Sequence, residues 1–310
     1  MDLSYTQNLE DYHLWQALGP KSSGFYIDIG AGHPVADNVS FWSYQRGWSG
    51  ICVEPQPALA ALYPRIRPRD VVFEGLVGRQ SGMTDFHVVD RLHGFSTTVE
   101  KHAQGAGQFG ADYSTVRMPI LTLAELCERH GVGEIDFLKI DVEGAEADVL
   151  MGNDWKRYRP KVIVAEAILP GSCEPAWGGW EPYLIERGYV FTLFDTLNRF
   201  YVAEEADDVL ARAPRERGDW DGVRHLYQIG RAPECAEHPE YKLANELARG
   251  LWASLPMLEP RLVAALLARS RGIADVAEIQ RLADTMTSDD FRASLGRIAC
   301  GYDGGQIFDD

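Results

Sequence analysis

The sequence predicts an α/β domain built on a mostly parallel sheet, followed by an all-helical extension. Over roughly the first 200 residues, short apolar runs alternate with helical patterns, which is typical of parallel strands joined by helices. After about residue 204 the strand patterns stop, and four stretches show the apolar spacing of amphipathic helices. We therefore expect a first domain over residues 1–204. Residues 205–310 are expected to form a linker and a helical extension that serves as a lid, a dimer surface or a docking region.

The first half of the domain is predicted to contain three buried strands and an added edge strand. Pro, Gly and polar residues bound each apolar run, as expected at strand ends. The predicted strands are 25–29, 50–54, 71–74 and the edge strand 84–89, and the predicted helices are 36–46 and 58–66.

The second half begins with a helix start at Thr122. Glu125 follows three residues later, and this spacing predicts a capping box. Two more strands, two more helices and a closing hairpin follow, with a tight turn predicted at Leu197–Arg199. The predicted strands are 136–141, 161–166, 189–194 and 200–202, and the predicted helices are 122–130, 145–151 and 180–187. A hairpin with no helix between its strands adds one antiparallel strand to the sheet.

Composition excludes several classes of protein. The formal net charge of −16 opposes binding to phosphate backbones, so no nucleic-acid substrate is expected. Five scattered cysteines, never spaced C-x-x-C, argue against a disulfide framework or a zinc cluster. Neither a signal peptide nor a transmembrane run of 18 apolar residues is visible. The expected location is the cytoplasm.

A ligand site is predicted where the first strand ends in Asp28-Ile29-Gly30-Ala31-Gly32. Glycines there let the backbone approach a ligand closely. Glu54 ends the next strand, 26 residues after Asp28, where Rossmann-like sites place an acid that accepts the two ribose hydroxyls. No third glycine follows, which argues against a dinucleotide. Topology alone places Glu74, after the third strand, at an adenine pocket.

Several ordered motifs between about residues 5 and 205 resemble one branch of the FkbM-type methyltransferases. The most specific is the stretch from Asp136 to Glu146, DFLKIDVEGAE. The others are YTQNLED at 5–11, FYIDIGA at 25–31, GWSG at 47–50, VEP at 53–55, RPKVIVAE at 159–166, and FD with LNRFYV at 194–202. One departure is Thr196, where the branch commonly has Gly after the Phe-Asp pair.

This resemblance implies a Rossmann-like class I methyltransferase fold, with a seven-stranded, mostly parallel sheet whose last strand is antiparallel. It also implies S-adenosylmethionine as cofactor and O-methylation as the usual reaction. Substrates of such families range from sugars and surface glycans to small natural products, and the Tyr-x-Gln-Asn opening favours glycan assembly. The first hypothesis is therefore methylation of a sugar hydroxyl in a glycan or glycosylated metabolite. The alternatives are a small-molecule enzyme of secondary metabolism and a non-catalytic scaffold of a glycan-modifying complex. A homodimer through the helical extension is a further expectation. A dehydrogenase ranks last.

An alcohol acceptor must lose a proton, so a general base or a divalent cation is expected. Asp141 ends the fourth strand and Glu166 the fifth, where open α/β sheets bind ligands. We expect Asp141 to act as the base or as a ligand of Mg²⁺ or Mn²⁺, with Glu166 as its partner. Lys139, a costly charge within a central strand, and His33, a base or a helix cap, are further candidates.

Three residues are predicted to contact the acceptor. Glu143 follows the fourth strand, although an acid near a helix N-terminus also stabilises the helix dipole. Asn198 and Arg199 fall in the predicted hairpin turn beside the same crevice. They either bind a sugar or simply form the turn, which suits Asn.

Overall fold

The computed structural model describes residues 3–89, 96–98, 104, 112–169, 172 and 174–300. Cys173 therefore lies outside the described residues. The chain divides into two compact units, Met1–Leu226 and Tyr227–Asp310. No helix within the described ranges is long and apolar enough to span a membrane.

The first unit is built around a seven-stranded sheet, whose strands we number β1 to β7 in chain order. They are β1 Phe25–Ile29, β2 Ser49–Val53, β3 Val71–Phe73, β4 Phe137–Ile140, β5 Val162–Glu166, β6 Tyr189–Phe194 and β7 Asn198–Ala203. Their order across the sheet is β3-β2-β1-β4-β5-β7-β6. Strand β7 is antiparallel to both neighbours, and the other pairs are parallel. The predicted mostly parallel sheet of seven strands is confirmed.

The central strands β4 and β5 are buried throughout, as their nearly continuous apolar runs predict for a sheet covered on both faces. One apolar cluster contains Leu138 and Ile163, and the other contains Phe137 and Val164. Successive residues of each strand thus pack into opposite layers. The exceptions to the apolar runs are Lys139 in β4, which is 5% exposed, and Glu166 at the end of β5, which is 8% exposed.

The predicted edge strand at 84–89 does not extend the main sheet. It belongs to Gly82–Val89, which pairs antiparallel along its whole length with Tyr113–Thr122. Leu76–Gly78 completes this separate three-stranded sheet. The partner strand at 113–122 was missed by the sequence analysis. Its N-terminal half is largely exposed, so it lacks the apolar run that marked the other strands.

The remaining elements of the first unit are short. Its helices are Glu10–Leu18, Phe41–Gln45, Pro57–Ala60, Tyr63–Ile66, Leu123–Arg129, Glu146–Met151, Glu181–Ile185 and Asp207–Arg212, with a 3-10 turn at Trp177–Gly179. Leu3–Ser4 pairs in parallel with Arg224–His225. The helix Leu226–Ile229 spans the division between the units.

Two predicted helices were too long. The helix predicted at 36–46 begins only at Phe41, because the Asn38 side chain bonds Ala31 O and accepts from Ser40 N instead of continuing a helix. The helix predicted at 58–66 is two short turns, and Pro64 lies in the first turn of the second.

The predicted cap at Thr122 is present, since its hydroxyl accepts from Glu125 N at 3.0 Å. The Glu125 carboxylate binds Ser81 and Arg129. These contacts engage the carboxylate away from the N-cap, so only half of the predicted capping box is seen.

The second unit is helical. Its helices are Tyr241–Ser254, Pro260–Ser270, Val276–Thr285 and Asp289–Ala299, with a 3-10 turn at Leu255–Met257. Asp275 caps the third, accepting from Ala277 N and Glu278 N. A small core forms around Val263, Ala264, Ala283 and Met286.

Candidate active site

The loop after β1, residues 30–40, is called the glycine loop. Gly30 (φ +73°) and Gly32 (φ +61°) both adopt a left-handed backbone conformation that favours glycine. A Cβ on Gly30 would lie 1.7 Å from Asp141 O, whereas one on Gly32 would meet nothing within 4 Å. Gly30 is therefore required by the chain after β4, and Gly32 faces open space where a ligand fits. Ala31 N donates to Val53 O at 3.0 Å, which ties the loop to β2.

Glu54 lies beside this loop and is only 2% exposed. Its two carboxylate oxygens accept from Gly32 N and Gln56 N, each at 2.8 Å. Burial raises the pKa of Glu54, and these two hydrogen bonds oppose the shift. Each oxygen keeps a second lone pair, so the fixed carboxylate can still accept a ligand hydroxyl. Glu74 follows β3 at the same edge and is exposed.

Lys139 stands opposite Asp28 in the register of β4 and β1. Its ammonium donates to Gly30 O at 2.6 Å and lies 3.6 Å from Asp28 Oδ1 and 3.3 Å from Asp141 Oδ2. Burial alone would lower the pKa of Lys139, but Asp141 and Asp28 raise it above its ordinary value. The Lys139 ammonium therefore keeps its charge, which makes it a poor proton acceptor.

Three carboxylates meet at the carboxyl ends of β4 and β5. Asp141, Glu143 and Glu166 each offer one oxygen, and these oxygens lie within 4.8 Å of one another. We call them the carboxylate cluster. The sequence analysis paired Asp141 with Glu166, and the structure places Glu143 beside them. All three were predicted as site residues, though Glu143 was assigned to the acceptor.

Acidic groups outnumber basic ones around the carboxylate cluster in the described part of the chain, where the Lys139 ammonium lies 3.3 Å from Asp141. Burial raises the pKa of Glu143 to about 9, and repulsion from Asp141 and Glu146 adds to the shift against the attraction of Lys139. Burial, followed by repulsion from Asp141 and Glu143, raises the pKa of Glu166 as well. Glu166 Oε2 is buried and has no hydrogen-bond partner among the described residues. Such a set of hard oxygen donors fits a divalent cation.

The backbone around Glu143 is held in an unusual conformation. Glu143 has φ +54° and Gly144 has φ +99°. Glu146 fixes this turn, since its Oε1 accepts from Val142 N and Gly144 N. Glu146 is thus engaged at a helix N-terminus, where an acid is favourable. Strain of this kind tends to persist where a site over-determines the backbone.

Asn198 and Arg199 lie in β7 and not in the turn, which is formed by residues 195–197. Asn198 pairs in register with Glu166 and therefore lies beside the carboxylate cluster. Thr196 adopts φ +90°, a backbone conformation that glycine adopts without strain. The turn thus has a shape suited to the Gly common in the resembled branch.

Arg199 faces the opposite side of the sheet, because successive strand residues alternate. Its guanidinium donates to Glu181 Oε1 at 2.5 Å and to Tyr201 OH at 2.9 Å. It also stacks 3.8 Å above the Phe191 ring. The expectation that Arg199 lies beside Asn198 in one crevice was wrong.

His33 caps a turn and not a helix, since the next helix begins only at Phe41. Its Nδ1 accepts from Val35 N at 3.2 Å and from Ala36 N at 3.1 Å. Partial desolvation lowers the pKa of His33, against an opposing effect of Asp37. The side chain lies at the surface with its acceptor nitrogen already engaged.

One buried acid next to the site was missed. Glu10, 3% exposed, accepts from Asn198 Nδ2 at 2.8 Å and so links the first helix to β7. Burial raises the pKa of Glu10. Spacing signalled only that Glu10 is buried, because Glu10 and the apolar Leu14 are four residues apart and share one helix face.

A family model, the methyltransferase FkbM domain, matches residues 28–191, just over half of the 310-residue chain. The chain belongs to the FkbM methyltransferase family. It is a methyltransferase, and the family implies the use of S-adenosylmethionine in general. No curated protein matches the chain. The FkbM match includes the glycine loop, Glu54 and the carboxylate cluster, whereas Glu10 and Asn198 lie outside it.

Proposed function

We propose that this FkbM methyltransferase transfers a methyl group from S-adenosylmethionine to a sugar hydroxyl of a glycan or glycosylated metabolite, with a divalent cation at the carboxylate cluster. The observation that carries the proposal is the cluster itself, with three carboxylate oxygens within 4.8 Å of one another. Such a group suits Mg²⁺ or Mn²⁺, which prefer oxygen ligands. A cation held by these carboxylates would favour loss of the proton from a nearby acceptor hydroxyl, and sugars offer hydroxyl oxygens of the kind such cations prefer.

The cofactor is proposed to lie against the glycine loop. Gly32 leaves room for it, and Glu54 accepts hydrogen bonds from its ribose hydroxyls. Asp28 and Ala31 shape the base of this site, and Glu74 borders the adenine side. S-adenosylmethionine supplies a methyl group that its sulfonium charge makes electrophilic.

The acceptor is proposed to lie against Asp141, Glu143 and Glu166, with Asn198 on one side. The Asp141 carboxylate takes the hydroxyl proton while the acceptor oxygen bonds to the methyl carbon, and the carbon–sulfur bond breaks to leave S-adenosylhomocysteine. Bound Mg²⁺ or Mn²⁺ lowers the pKa of a hydroxyl group. Lys139 holds Asp141 and Gly30 in fixed relation through its charge and its bond to Gly30 O.

The second unit is proposed as a dimer or docking surface. Leu243, Leu247 and Leu251 recur every four residues along one helix and are all exposed. We propose a cytoplasmic location on the composition given above. A role for Arg199 in substrate binding is not part of the proposal.

The test has two stages. Isothermal titration with S-adenosylmethionine and S-adenosylhomocysteine, each with and without Mg²⁺, measures cofactor binding. Transfer of labelled methyl groups is then measured on sugar acceptors and, in parallel, on small phenolic alcohols. Methylated sugars support the proposal. Transfer only to the phenolic panel points to small-molecule chemistry, and absence of cofactor binding contradicts the proposal.

A further inference from the structure

A buried arginine behind the glycine loop has no part in the chemistry proposed above. The Arg67 side chain is 0% exposed, and its guanidinium lies 2.7 Å from Asp70. A buried charge is costly unless it is paired and fully hydrogen-bonded. Arg67 follows a helix of only four residues, Tyr63–Ile66, so helix formation does not explain why an arginine is buried at this position.

Every N–H of this guanidinium has a partner. Arginine offers five donors in a rigid planar arrangement. The acceptors are Asp70 Oδ2 at 2.7 Å, Pro34 O at 3.2 Å, Asn38 Oδ1 at 2.8 Å, Tyr26 OH at 2.9 Å and Ser40 Oγ at 2.8 Å. Three of the five acceptors, Pro34, Asn38 and Ser40, belong to the glycine loop.

The partners of Arg67 hold the part of the loop that faces the ligand space. Asn38 Nδ2 donates to Ala31 O at 2.8 Å. Tyr63 OH lies 3.1 Å from Ala31 O and 3.2 Å from Gly32 O. The carbonyl oxygens of Ala31 and Gly32 are thereby hydrogen-bonded to side chains of the protein. Gly32 N is engaged by Glu54, the proposed ribose acceptor.

A second arm leads from Arg67 toward Lys139. Ser40 Oγ, which accepts from Arg67, donates to Asp28 Oδ2 at 2.6 Å. Asp28 Oδ1 faces the Lys139 ammonium at 3.6 Å. The Arg67 guanidinium thus contacts the glycine loop directly. Through Ser40 it is also linked to Asp28, which faces Lys139 beside the carboxylate cluster.

We propose that Arg67 is a positioning residue that orders the glycine loop for the cofactor before the cofactor binds. The inference rests on the proposed function, since it takes the glycine loop as the cofactor site. Arg67 touches neither cofactor nor acceptor in this account. It acts through Asn38, Pro34 and Ser40, whose bonds fix where Ala31 and Gly32 lie.

Three variants separate positioning from general stability. Arg67→Lys keeps the charge but offers three donors in place of five. Asn38→Ala removes the link between Arg67 and Ala31 O. Tyr26→Phe is the matched control, since it removes another bond of Arg67 and one of Asp70 without touching the loop. Circular dichroism and the melting temperature report the fold of each variant.

Two readouts are measured below the melting temperature of every variant. Amide hydrogen exchange of Ala31 and Gly32 in the ligand-free protein reports the order of the loop. The Kd for S-adenosylhomocysteine reports how well the glycine loop binds the cofactor product. We expect faster exchange and about tenfold weaker binding in Asn38→Ala and Arg67→Lys, with Tyr26→Phe close to wild type. If Arg67→Lys does not fold, Asn38→Ala against Tyr26→Phe makes the same comparison.

Wild-type exchange and wild-type Kd in Asn38→Ala would overturn the inference. Equal loss in Tyr26→Phe would also overturn it, because it would show a general effect of the buried cluster. If the wild-type protein binds no S-adenosylhomocysteine, the proposed function fails. The exchange contrast in the ligand-free protein then still decides whether Arg67 orders the loop.

Discussion

Two neighbouring residues of β7 belong to opposite kinds of buried polar site. Arg199 has an ion pair with Glu181, a hydrogen bond to Tyr201 and an aromatic ring against its face. On the other side of the sheet, Asn198 borders carboxylates that repel one another, and Glu166 keeps an oxygen with no described partner. Burial and charge are common to both sites. The two sites differ in whether their polar groups have hydrogen-bond and ion-pair partners. Buried polar groups without such partners are the better guide to where a ligand binds.

The largest expected effect follows from neutralising the carboxylate cluster. In Asp141→Asn and Glu166→Gln, we expect methyl transfer to fall by roughly 10²–10⁴-fold, the usual contribution of a general base. Binding of S-adenosylhomocysteine should remain, because Glu54 and the glycine loop are unchanged. Turnover of the acceptor identified by the screen, measured with labelled cofactor, checks this. Full turnover in Asp141→Asn would remove it from the mechanism.

Substitution of Arg199 is expected to lower the stability of the fold and to preserve the activity. Arg199→Met removes the guanidinium from Glu181 and Tyr201, which keep their hydrogen bond to each other. The lost ion pair and hydrogen bond should cost about 1–3 kcal/mol. Below the melting temperature, turnover should stay within about threefold of wild type, since surviving folded molecules keep the site. Thermal unfolding and turnover on the same samples check both parts. A large loss of turnover in fully folded Arg199→Met would place Arg199 in the site after all.

An intermediate effect is expected where Glu10 meets Asn198. Asn198→Ala removes the donor to Glu10 Oε1 beside Glu166, so kcat/KM for the acceptor should fall about tenfold while cofactor Kd is unchanged. Asn153→Ala is the matched control, because Asn153 donates to Tyr158 O away from the site. Equal effects of the two substitutions would show that Asn198 supports the fold alone.

A pH dependence of stability is expected from Asp195, next to Asn198. Burial, with repulsion from Glu10, raises the pKa of Asp195 to about 7. The unfolded chain releases this proton near pH 4 and the folded chain near pH 7, so stability falls as pH rises between them. The melting temperature of Asp195→Asn relative to wild type should therefore increase from pH 5 to pH 8. A constant difference would mean that the folded carboxyl is already ionised at pH 5.

The smallest effect is expected at His33. Its Nδ1 caps a surface turn, so His33→Ala should change turnover by no more than about twofold. A hundredfold loss, with unchanged cofactor Kd, would show that His33 accepts the acceptor proton and that Asp141 serves another role.

The sequence predicted the elements that have a strong apolar period. Strands β4 and β5 are nearly continuous apolar runs, and the helices of the second unit have a clear apolar spacing. The strand Tyr113–Thr122 was missed because five consecutive residues near its start are exposed or only partly buried. Helix 36–46 was predicted too long because side-chain bonds of Asn38 replace backbone ones, and such contacts leave no periodic trace.

Site residues followed the same division. Asp28, Gly30, Gly32, Glu54 and Asp141 could be predicted to lie close together because they stand directly at strand ends, where topology alone brings them to one edge. Glu10 could not be placed there from spacing, since its partner Asn198 is 188 positions away. Arg199 was misplaced because the turn was predicted two residues too late. Arg199 therefore lies within β7, where its side chain and that of Asn198 point to opposite faces of the sheet.

The central claim is that the carboxylate cluster holds a divalent cation beside the glycine loop. The most direct test is isothermal titration of chelator-treated protein with Mn²⁺ in the presence of S-adenosylhomocysteine, on wild type and Glu166→Gln. The account predicts saturable binding of one Mn²⁺ per chain in wild type and its loss in Glu166→Gln. No saturable binding in wild type, or equal binding in both proteins, would contradict it.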